Sequence, residues 1–343
     1  MTRCPGILAE IGLLIYPDCQ LSAVHGLTDL VRIAGEWSAH GADPVPRPVI
    51  RVSHWAFVAG TEGDDPDQPS CVWDSHAGLP HRLDYVIAPP SIVMPEKMRP
   101  MPAAARWLAR RHVEGSRICS ICAGAFVLAE SGLIDGRRVT THWAFASQLA
   151  ERFPGVDVAQ ENIVLDDGDI ITAGGILAWT DLGLTLVDRL MGPSAMLATA
   201  RFLVIDPPRD DQRPFARFVP RFDHGDEAIL RVQHRMHAHA AEPCSVKRLA
   251  ESASLGERTF QRRFHQATGH RPTEYLQQVR VAKAREILET THRPVEQIAW
   301  QVGYAAATAF GKAFQRITGI TPGRYRQRFG MSTRAPREQP QER

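Results

Sequence analysis

The order of hydrophobic and polar residues changes character about two thirds of the way along the chain. Before about residue 205, short apolar runs of strand length alternate with longer segments whose apolar residues recur every three or four positions. From about residue 226 onward only the helical period remains. The first pattern predicts an α/β domain, with a parallel sheet between layers of helices, and the second predicts an all-α domain.

The elements of the first part follow from these runs. Strands are predicted at Leu8–Tyr16, Val49–Phe57, Leu83–Ala88, Arg117–Ile121 and Arg138–Thr141, with a hairpin formed by Asn162–Leu165 and Asp169–Thr172. Helices are predicted at Leu21–Ala34, Ala103–His112, Trp143–Arg152 and Leu177–Met191. Gly35 is expected to end the first helix, because glycine readily takes the left-handed conformation found at helix ends. Residues 64–67 are expected to form a loop.

Breaks in the pattern set the expected domain boundaries. A polar, proline-rich stretch begins at residue 206, directly after an apolar segment, and such composition is typical of a connection between domains. We therefore expect a first domain at 1–205, a linker at 206–224, a second domain at 225–329 and a disordered tail at 330–343.

The second domain contains a sequence that recurs after fifty positions. Phe264, Gly269, Pro272 and Tyr275 return as Phe314, Gly319, Pro322 and Tyr325. Each copy has a short helical segment, a turn and a second helical segment that ends in Thr-Gly, which is the order of elements in a helix-turn-helix motif. The repeat therefore predicts two helix-turn-helix motifs.

One long helix is predicted between the two copies. It runs from Pro272 to Thr291 and carries an apolar stripe of Val281, Ala284 and Leu288. Its twenty residues at ~1.5 Å each span ~30 Å, close to the ~34 Å repeat of B-DNA. A spacer of this length would let the two motifs reach successive major grooves from one side of the duplex.

The second helix of the first copy is expected to have one apolar face and one basic, amide-bearing face. Phe260 and Phe264 lie four residues apart and should be buried. The opposite face then carries Arg258, Gln261, Arg262 and His265. Arginine and glutamine can form paired hydrogen bonds with guanine and adenine edges in the major groove. The alternative interpretation is that this face is simply solvated.

The second copy has a chemically poorer version of this face. The equivalent positions hold Thr308, Gly311, Lys312 and Gln315. We therefore predict that the first copy supplies most base discrimination and that Lys312 mainly holds phosphate. The candidate base contacts are Arg258, Gln261, Arg262, Thr308 and Lys312, and the candidate phosphate contacts are Lys247, Arg263 and Arg316.

Charge is unevenly divided along the chain, although the net charge is only +2. Residues 226–329 contain 17 Lys and Arg against 9 Asp and Glu, a surplus of +8. Residues 1–225 contain 20 against 27, a net −7. A basic second domain indicates a polyanionic partner for that domain alone, and its motifs make double-stranded DNA the expected partner.

The second domain resembles the DNA-binding domain of the AraC/XylS family of transcription regulators, over about a hundred residues from Asp226 to Phe329. The resemblance rests on Leu249-Ala250 and Phe260-Gln261-Arg262-Arg263-Phe264 in the first copy, and on Ile298-Ala299, Val302-Gly303-Tyr304, Phe310, Phe314, Gly319-Ile320-Thr321-Pro322 and Tyr325-Arg326 in the second. It implies sequence-specific binding of double-stranded DNA.

In the first domain, a predicted strand passes directly into a predicted helix through Cys122-Ala123-Gly124. A cysteine at such a corner is a nucleophile-elbow arrangement. Together with the segments Asp135–Trp143 and Thr172–Gly175, this turn resembles the PfpI-like, class I glutamine amidotransferase-like superfamily over most of residues 8–192. The superfamily implies a flavodoxin-like sheet. The resemblance is closest to the GlxA-type branch fused to an AraC-type domain, whose members are transcription regulators with a first domain that senses a small metabolite and dimerises.

The same resemblance argues against catalysis. Hydrolytic relatives carry histidine directly after the cysteine, where this chain has Ala123, and an acidic residue where it has Ala23. Pro90 replaces a residue whose N–H would stabilise an oxyanion, and proline has no N–H to donate. His142 matches a histidine near the cysteine in some relatives. We therefore predict that the domain is not an enzyme and that Cys122, His142, Ala23 and Pro90 line an effector pocket.

Two other functions remain open at this point. If Cys122 is reactive, the chain would be a thiol hydrolase or hydratase with an accessory DNA-binding domain. If side chains fill the pocket, it would be an architectural DNA binder that senses nothing. Cys122 could also be the small, inert residue that a tight turn tolerates.

Cysteine usage and hydropathy indicate which compartment, metals and membrane segments to expect. The six cysteines (4, 19, 71, 119, 122 and 244) form no regular framework and show no zinc-finger spacing with histidine, so we expect reduced thiols, no metal and no cofactor. No uncharged apolar stretch reaches ~18 residues, so no membrane span is expected. The sequence thus predicts a cytoplasmic homodimer that binds double-stranded DNA and a small-molecule effector.

Overall fold

The computed structural model divides the chain into two compact units that meet in sequence between Gln212 and Arg213. It describes residues 6–37, 49–58, 68–207 and 209–331. The loop expected at 64–67 lies outside the described residues, as does nearly all of the tail expected at 330–343.

The first unit is built on a seven-stranded sheet with the order β3-β2-β1-β4-β5-β9-β8. The strands of this unit are β1 (Ile7–Ile15), β2 (Val49–Ala56), β3 (Ser70–Asp74), β4 (Tyr85–Ala88), β5 (Arg117–Ile121), β6 (Arg138–Val139), β7 (Asp157–Val158), β8 (Val164–Asp166) and β9 (Ile170–Ala173). Strands β6 and β7 pair only with each other, in a separate parallel ribbon.

The five central strands of the sheet are parallel. Taken in chain order, β2-β1-β4-β5-β9 has the 2-1-3-4-5 arrangement of flavodoxin-like sheets, which confirms the predicted fold class. The two edge strands, β3 and β8, run antiparallel to their neighbours. The sheet is therefore mixed. Its parallel centre matches the prediction from the alternation of elements, the antiparallel β8 belongs to the predicted hairpin, and the antiparallel β3 was not predicted.

Helices cover this sheet. Those described are α1 (Leu21–Trp37), α2 (Pro102–Val113), α3 (Gly124–Ala129), α4 (Ala146–Arg152), α5 (Trp179–Met191) and α6 (Pro193–Leu203). Helix α1 packs with α5 and α6, while α2 packs with α3. The chain crosses from β1 to β2 in one direction and from β4 to β5 in the other, so right-handed crossovers place α1 and α2 on opposite faces of the sheet.

Several local predictions need correction. Helix α1 continues past Gly35 to Trp37, because Gly35 keeps a conformation compatible with the helix. Strand β3 was not predicted, since it is a partly exposed edge strand without a clear apolar run. The strand predicted at 138–141 joins β7 rather than the main sheet. The predicted hairpin is confirmed by β8 and β9.

Helices are the only regular secondary structure in the described part of the second unit, and they begin at Glu227. Its helices are α7 (Glu227–Ala238), α8 (Val246–Ser252), α9 (Glu257–Thr268), α10 (Pro272–Thr290), α11 (Val295–Gln301), α12 (Ala307–Thr318) and α13 (Pro322–Phe329). Gly269 and Gly319 end α9 and α12 in left-handed conformations, with φ of 73° and 77°, where glycine avoids a Cβ clash. None of the helices described in either unit is long and apolar enough to cross a membrane.

Two helix-turn-helix motifs, α8–α9 and α11–α12, have separate hydrophobic cores joined by α10. The first core includes Phe260, Phe264, Tyr275 and Val279, and the second includes Val281, Ala284, Leu288, Phe310, Phe314 and Tyr325. The stripe predicted for α10 is therefore buried, as expected. The ring centroids of Phe264 and Tyr275 lie 5.3 Å apart, and those of Phe314 and Tyr325 lie 5.4 Å apart. The sequence repeat is thus preserved in side-chain packing.

The turn inside each motif also repeats. Ser254 and Gly303 occupy equivalent positions, and both have left-handed backbones, with φ of 56° and 94°. The hydrogen bond that closes the turn measures 3.0 Å from the next N–H to Ala250 O in the first motif and 2.9 Å to Ala299 O in the second. The turns of the two motifs therefore have the same backbone conformation and the same closing hydrogen bond.

Residues 206–224, predicted as a linker, are divided between the units. Residues 209–212 hydrogen-bond within the first unit. In the second unit, the buried Arg285 of α10 donates to the carbonyls of Arg213 and Ala216, and Gln233 of α7 donates to the carbonyl of Arg221. Residues 209–212 are therefore fixed to the first unit, and the residues from Arg213 to Arg221 are fixed to the second.

Candidate DNA interface and effector site

The exposed face of α9 carries the side chains predicted to read DNA bases. Arg258, Gln261 and Arg262 are exposed. Phe260 and Phe264 are fully buried on the other face of the same helix. A helix anchored in this way presents two guanidinium groups and one amide, which can pair with base edges in the major groove.

The equivalent face of α12 is exposed but offers less chemistry. Thr308 and Lys312 are exposed. Between them, Gly311 has no atom within 4 Å of the place a Cβ would occupy. Phe310 and Phe314 fill the buried face, so the helix is packed like α9. The positions of Arg258, Gln261 and Arg262 instead carry a hydroxyl, no side chain and an ammonium, and the exposed Gln315 takes the place of His265.

The three candidate phosphate contacts lie in different environments. Lys247 is exposed in the first turn of α8. Arg316 is exposed on α12 and donates to the side chain of Gln277. Arg263 donates two hydrogen bonds, of 2.9 and 2.7 Å, to the carboxylate of Asp226, and this pairing lowers the pKa of Asp226. Its guanidinium therefore joins α9 to the start of α7.

Cys122 stands at a sharp turn at the carboxyl end of β5, as predicted. Its backbone is left-handed, with φ of 53°, and its N–H donates to the carbonyl of Ala173 at the end of β9. A Cβ on the nearby Gly124 would lie 2.4 Å from the carbonyl oxygen of Ala88 at the end of β4. The elbow is therefore packed between the carboxyl ends of β4 and β9. Open α/β folds bind their ligands at this end of the sheet.

The thiol of Cys122 is poorly suited to act as a nucleophile. The residue is 2% exposed, and burial raises the pKa of the thiol to about 12. A hydrogen bond with the backbone of Ala123 lowers this pKa, but by less than burial raises it. Since the thiolate is the reactive form of cysteine, the neutral group at physiological pH is a weak nucleophile.

His142 is connected to the elbow through the residue before it. The hydroxyl of Thr141 donates to the carbonyl of Cys122 at 2.8 Å. The half-buried His142 ring accepts a hydrogen bond at Nδ1 from the N–H of Ala144, 3.1 Å away, and lies against Trp143. Burial lowers the pKa of His142, so the ring is neutral at physiological pH.

Ala23 and Pro90 lie on the two segments that follow β1 and β4. Ala23 is fully buried in the first turn of α1. The N–H of Gln20, just before this helix, donates to the carbonyl of Pro90 at 2.7 Å, and the hydroxyl of Tyr16 donates to the carbonyl of Pro89. Ala23 and Pro90 therefore contribute a methyl group and a ring without an N–H, neither of which can lower the pKa of a thiol or bind an oxyanion.

A buried glutamine connects this site to the end of the first unit. Gln212 is 3% exposed, and its Nε2 donates to the carbonyls of Thr141 and Asn162, each at 2.8 Å. Its Oε1 accepts from the N–H of Trp143 at 3.1 Å. Gly174 leaves the necessary room, because a Cβ there would lie 2.2 Å from Gln212 Nε2. Sequence analysis missed Gln212, since these bonds span up to 71 positions and follow no periodic pattern.

An ion pair holds the residues just before Gln212. Arg209 donates from its backbone and its guanidinium to the carboxylate of Asp181, at 2.7 to 3.1 Å. Asp181 is buried on α5. The last residues of the first unit are thus fixed both to α5 and to the segment that carries Thr141 and His142.

Two family models match the chain, one in each unit. The DJ-1/PfpI family matches residues 79–189, which include the Cys122 elbow. A helix-turn-helix domain matches residues 249–328, which include both motifs of the second unit.

Two known regulators match this chain over stretches longer than either unit, and one known enzyme matches a shorter stretch. The HTH-type transcriptional regulator CdhR of Pseudomonas aeruginosa is 30% identical over 228 residues, which cover 66% of this chain and 67% of CdhR. The HTH-type transcriptional regulator GlxA of Rhizobium meliloti is 31% identical over 221 residues, 63% of this chain and 67% of GlxA. The isonitrile hydratase of Pseudomonas putida is 40% identical over 75 residues, 22% of this chain and 32% of the enzyme. The chain belongs to the AraC-type, DNA-binding transcription regulators that carry a DJ-1/PfpI domain.

Proposed function

We propose that this regulator recognises its DNA site with both helix-turn-helix motifs, using α9 for most base discrimination and α12 mainly for holding the backbone. The supporting observation is that α9 and α12 pack in the same way within their motifs but expose different side chains. Their aromatic packing agrees to 0.1 Å in ring separation, whereas their exposed faces differ. The guanidinium and amide groups of Arg258, Gln261 and Arg262 can distinguish bases, whereas the equivalent positions of α12 offer only the hydroxyl of Thr308 and the ammonium of Lys312, which acts on phosphate as a point charge.

Binding-site selection with the full-length protein tests this function. For each bound chain, the recovered DNA is expected to contain one strongly specified segment and one weakly specified segment about ten base pairs away, which is one turn of the duplex. Affinity for that DNA should fall steeply as salt rises, because Lys and Arg release counterions from phosphate. Failure to recover any consensus, or an affinity that does not respond to salt, would contradict the proposal.

The first unit is proposed to bind a small-molecule effector at the elbow and not to catalyse a reaction. The buried, neutral thiol of Cys122, the methyl group of Ala23 and the missing N–H of Pro90 all argue against catalysis. Effector binding is proposed from the resemblance to fused regulators and from the position of the elbow at the carboxyl ends of the strands. The alternative is a cysteine-dependent hydrolase or hydratase with an accessory DNA-binding unit. The local likeness to an isonitrile hydratase favours that alternative, and the reactivity of Cys122 distinguishes the two.

Gln212 offers a physical route from the effector site to the rest of the chain. Thr141 hydrogen-bonds both to the elbow and to Gln212, and the second unit begins at the next residue. A ligand that moves Thr141 would therefore change the bonds that fix the end of the first unit. A metabolite that raises the melting temperature of the full-length protein is expected to alter amide exchange at residues 209–217. Stabilisation with unchanged exchange there would exclude this route.

We also propose that the regulator is a homodimer in the cytoplasm, associated through its first unit as the resemblance to fused regulators implies. A dimer would present four helix-turn-helix motifs and would suit a DNA site with two half-sites. Light scattering on the DNA-free protein that gave only the mass of one chain, 38.1 kDa, would contradict this state.

A further inference from the structure

A second cluster of reactive side chains lies at the β3 edge of the sheet, separated from β5 and its elbow by three intervening strands. It consists of Cys71 and Asp74, both on β3, and His81 in the segment that follows. One ligand atom from each residue, a sulfur, a carboxylate oxygen and an imidazole nitrogen, lies within 4.8 Å of the other two. We propose that these three residues form a binding site for a divalent transition metal, with Zn²⁺ as the best match.

An irregularity in β3 brings two of the ligands together. Residues three apart on a regular strand point to opposite faces, which would separate Cys71 from Asp74. In the pairing of β2 with β3, however, Trp55 lies opposite Cys71 and His54 opposite Trp73, so β3 contains one extra residue at this point. A bulge of this kind redirects the side chains that follow it. It allows the sulfur and the carboxylate to converge.

The third ligand is oriented in advance by a buried carboxylate. His81 Nδ1 lies 2.6 Å from Oε1 of Glu10, and this contact leaves Nε2 facing Asp74, 3.9 Å from its Oδ2. Glu10 is 3% exposed and also accepts hydrogen bonds from Ser53 Oγ and from the N–H of Arg82. Metal-binding histidines usually donate their other ring N–H to a carboxylate, which fixes the ring and the tautomer. Glu10 meets this requirement as a positioning residue.

The charges around the cluster suit a divalent cation. Arg51 is buried, pairs with Asp74 and approaches Glu10 at 3.4 Å, so one of the two negative charges is already balanced. On binding, the metal forms a bond to Cys71 sulfur and the thiol proton leaves to solvent. Two carboxylates and one thiolate against one guanidinium then give a net charge of about −2, which a divalent ion neutralises.

The chemistry of the three ligand atoms also determines which metal ions the site prefers. Thiolate and imidazole ligands favour Zn²⁺ and other late transition metals, whereas Mg²⁺ and Ca²⁺ favour oxygen ligands alone. Three protein ligands leave a fourth tetrahedral position for water. His81 is exposed, and Cys71 and Asp74 are partly exposed, so an ion can enter from solvent.

Cobalt titration of the full-length protein provides a direct test, since Co²⁺ replaces Zn²⁺ in such sites and reports its ligands by absorption. We expect one equivalent to bind with a thiolate-to-cobalt charge-transfer band, and Zn²⁺ to abolish the band. Cys71→Ser should remove the band and weaken binding at least tenfold. Cys244→Ser, which changes an exposed thiol of the second unit, should leave the band intact.

A second measurement keeps the proposal testable if a variant folds poorly. Zn²⁺ should raise the melting temperature of the wild-type protein, but not that of Cys71→Ser or His81→Gln, provided their circular dichroism matches the wild type. A charge-transfer band that survives Cys71→Ser, or a protein that binds no Co²⁺ or Zn²⁺, would overturn the site. Either result would leave the DNA-binding proposal untouched.

Discussion

Replacing Gly303 by alanine is expected to destabilise the second helix-turn-helix motif by about 2–4 kcal/mol. Gly303 has a φ of 94°, and a Cβ there would lie 2.5 Å from the carbonyl oxygen of Ala241 and 2.7 Å from its Cα. Both the left-handed backbone and the contact with rigid backbone atoms oppose a side chain. Ser254 tolerates a left-handed backbone at the equivalent place in the first motif, so the close approach of Ala241 is the decisive difference.

Gly311 provides a matched control in the same motif. It lies inside α12 with open space around it, so Gly311→Ala should stabilise the helix by about 1 kcal/mol. Amide hydrogen exchange of peptides covering α11 and α12 would measure both effects locally, with faster exchange in Gly303→Ala and slower exchange in Gly311→Ala. Equal effects of the two substitutions would show that the turn geometry described for Gly303 is incorrect.

The second large effect concerns the reactivity of Cys122. Burial raises the pKa of this thiol from 9.0 to about 12, so it holds roughly a thousandth of the thiolate that an ordinary cysteine holds at neutral pH. Iodoacetamide should therefore label Cys122 roughly a hundredfold more slowly than the exposed Cys244. The expected contrast is smaller than the difference in thiolate fraction, because partial burial also raises the pKa of Cys244. Because the pKa is raised, the rate at Cys122 should increase about tenfold for each pH unit between 7 and 9.

Mass spectrometry of the labelled peptides gives both rates in one experiment. The denatured protein is the control, since both cysteines should then react at similar rates. Labelling of Cys122 at neutral pH as fast as that of Cys244 would show an activated thiolate. That result would favour the hydrolase or hydratase alternative over a sensing role.

The parts of this molecule that follow local rules could be predicted from the sequence. The two helix-turn-helix motifs were predicted because Phe260 and Phe264, and their counterparts fifty positions later, obey the helical period and pack within their own motif. The turn at Cys122 was predicted because an apolar strand passes directly into an apolar helix there. In both cases a few neighbouring residues determine the structure.

The parts that depend on distant contacts could not be predicted. The pairing of Arg263 with Asp226 was not predicted, because the two residues lie 37 positions apart and leave no local pattern. The predicted phosphate contact of Arg263 stays a prediction. The bonds of Gln212 to Thr141 and Asn162 were not predicted either, because they form only when separate loops meet. The Cys71, Asp74 and His81 cluster depends on an extra residue in β3, and regular strand geometry would have argued against it.

The central claim is that α9 and α12, which occupy equivalent places in the two motifs, contribute unequally to DNA recognition. Helix α9 discriminates between bases, and α12 mainly holds phosphate. The most direct measurement is binding-site selection with Arg262→Ala and Lys312→Ala, both of which change exposed side chains on helices whose buried faces remain intact. Arg262→Ala is expected to weaken binding to the preferred site by about 1–3 kcal/mol and to relax the preference at one base pair. Lys312→Ala is expected to weaken all sequences alike and to reduce the salt dependence by about one counterion. A Lys312→Ala protein that lost more sequence preference than Arg262→Ala would contradict the account.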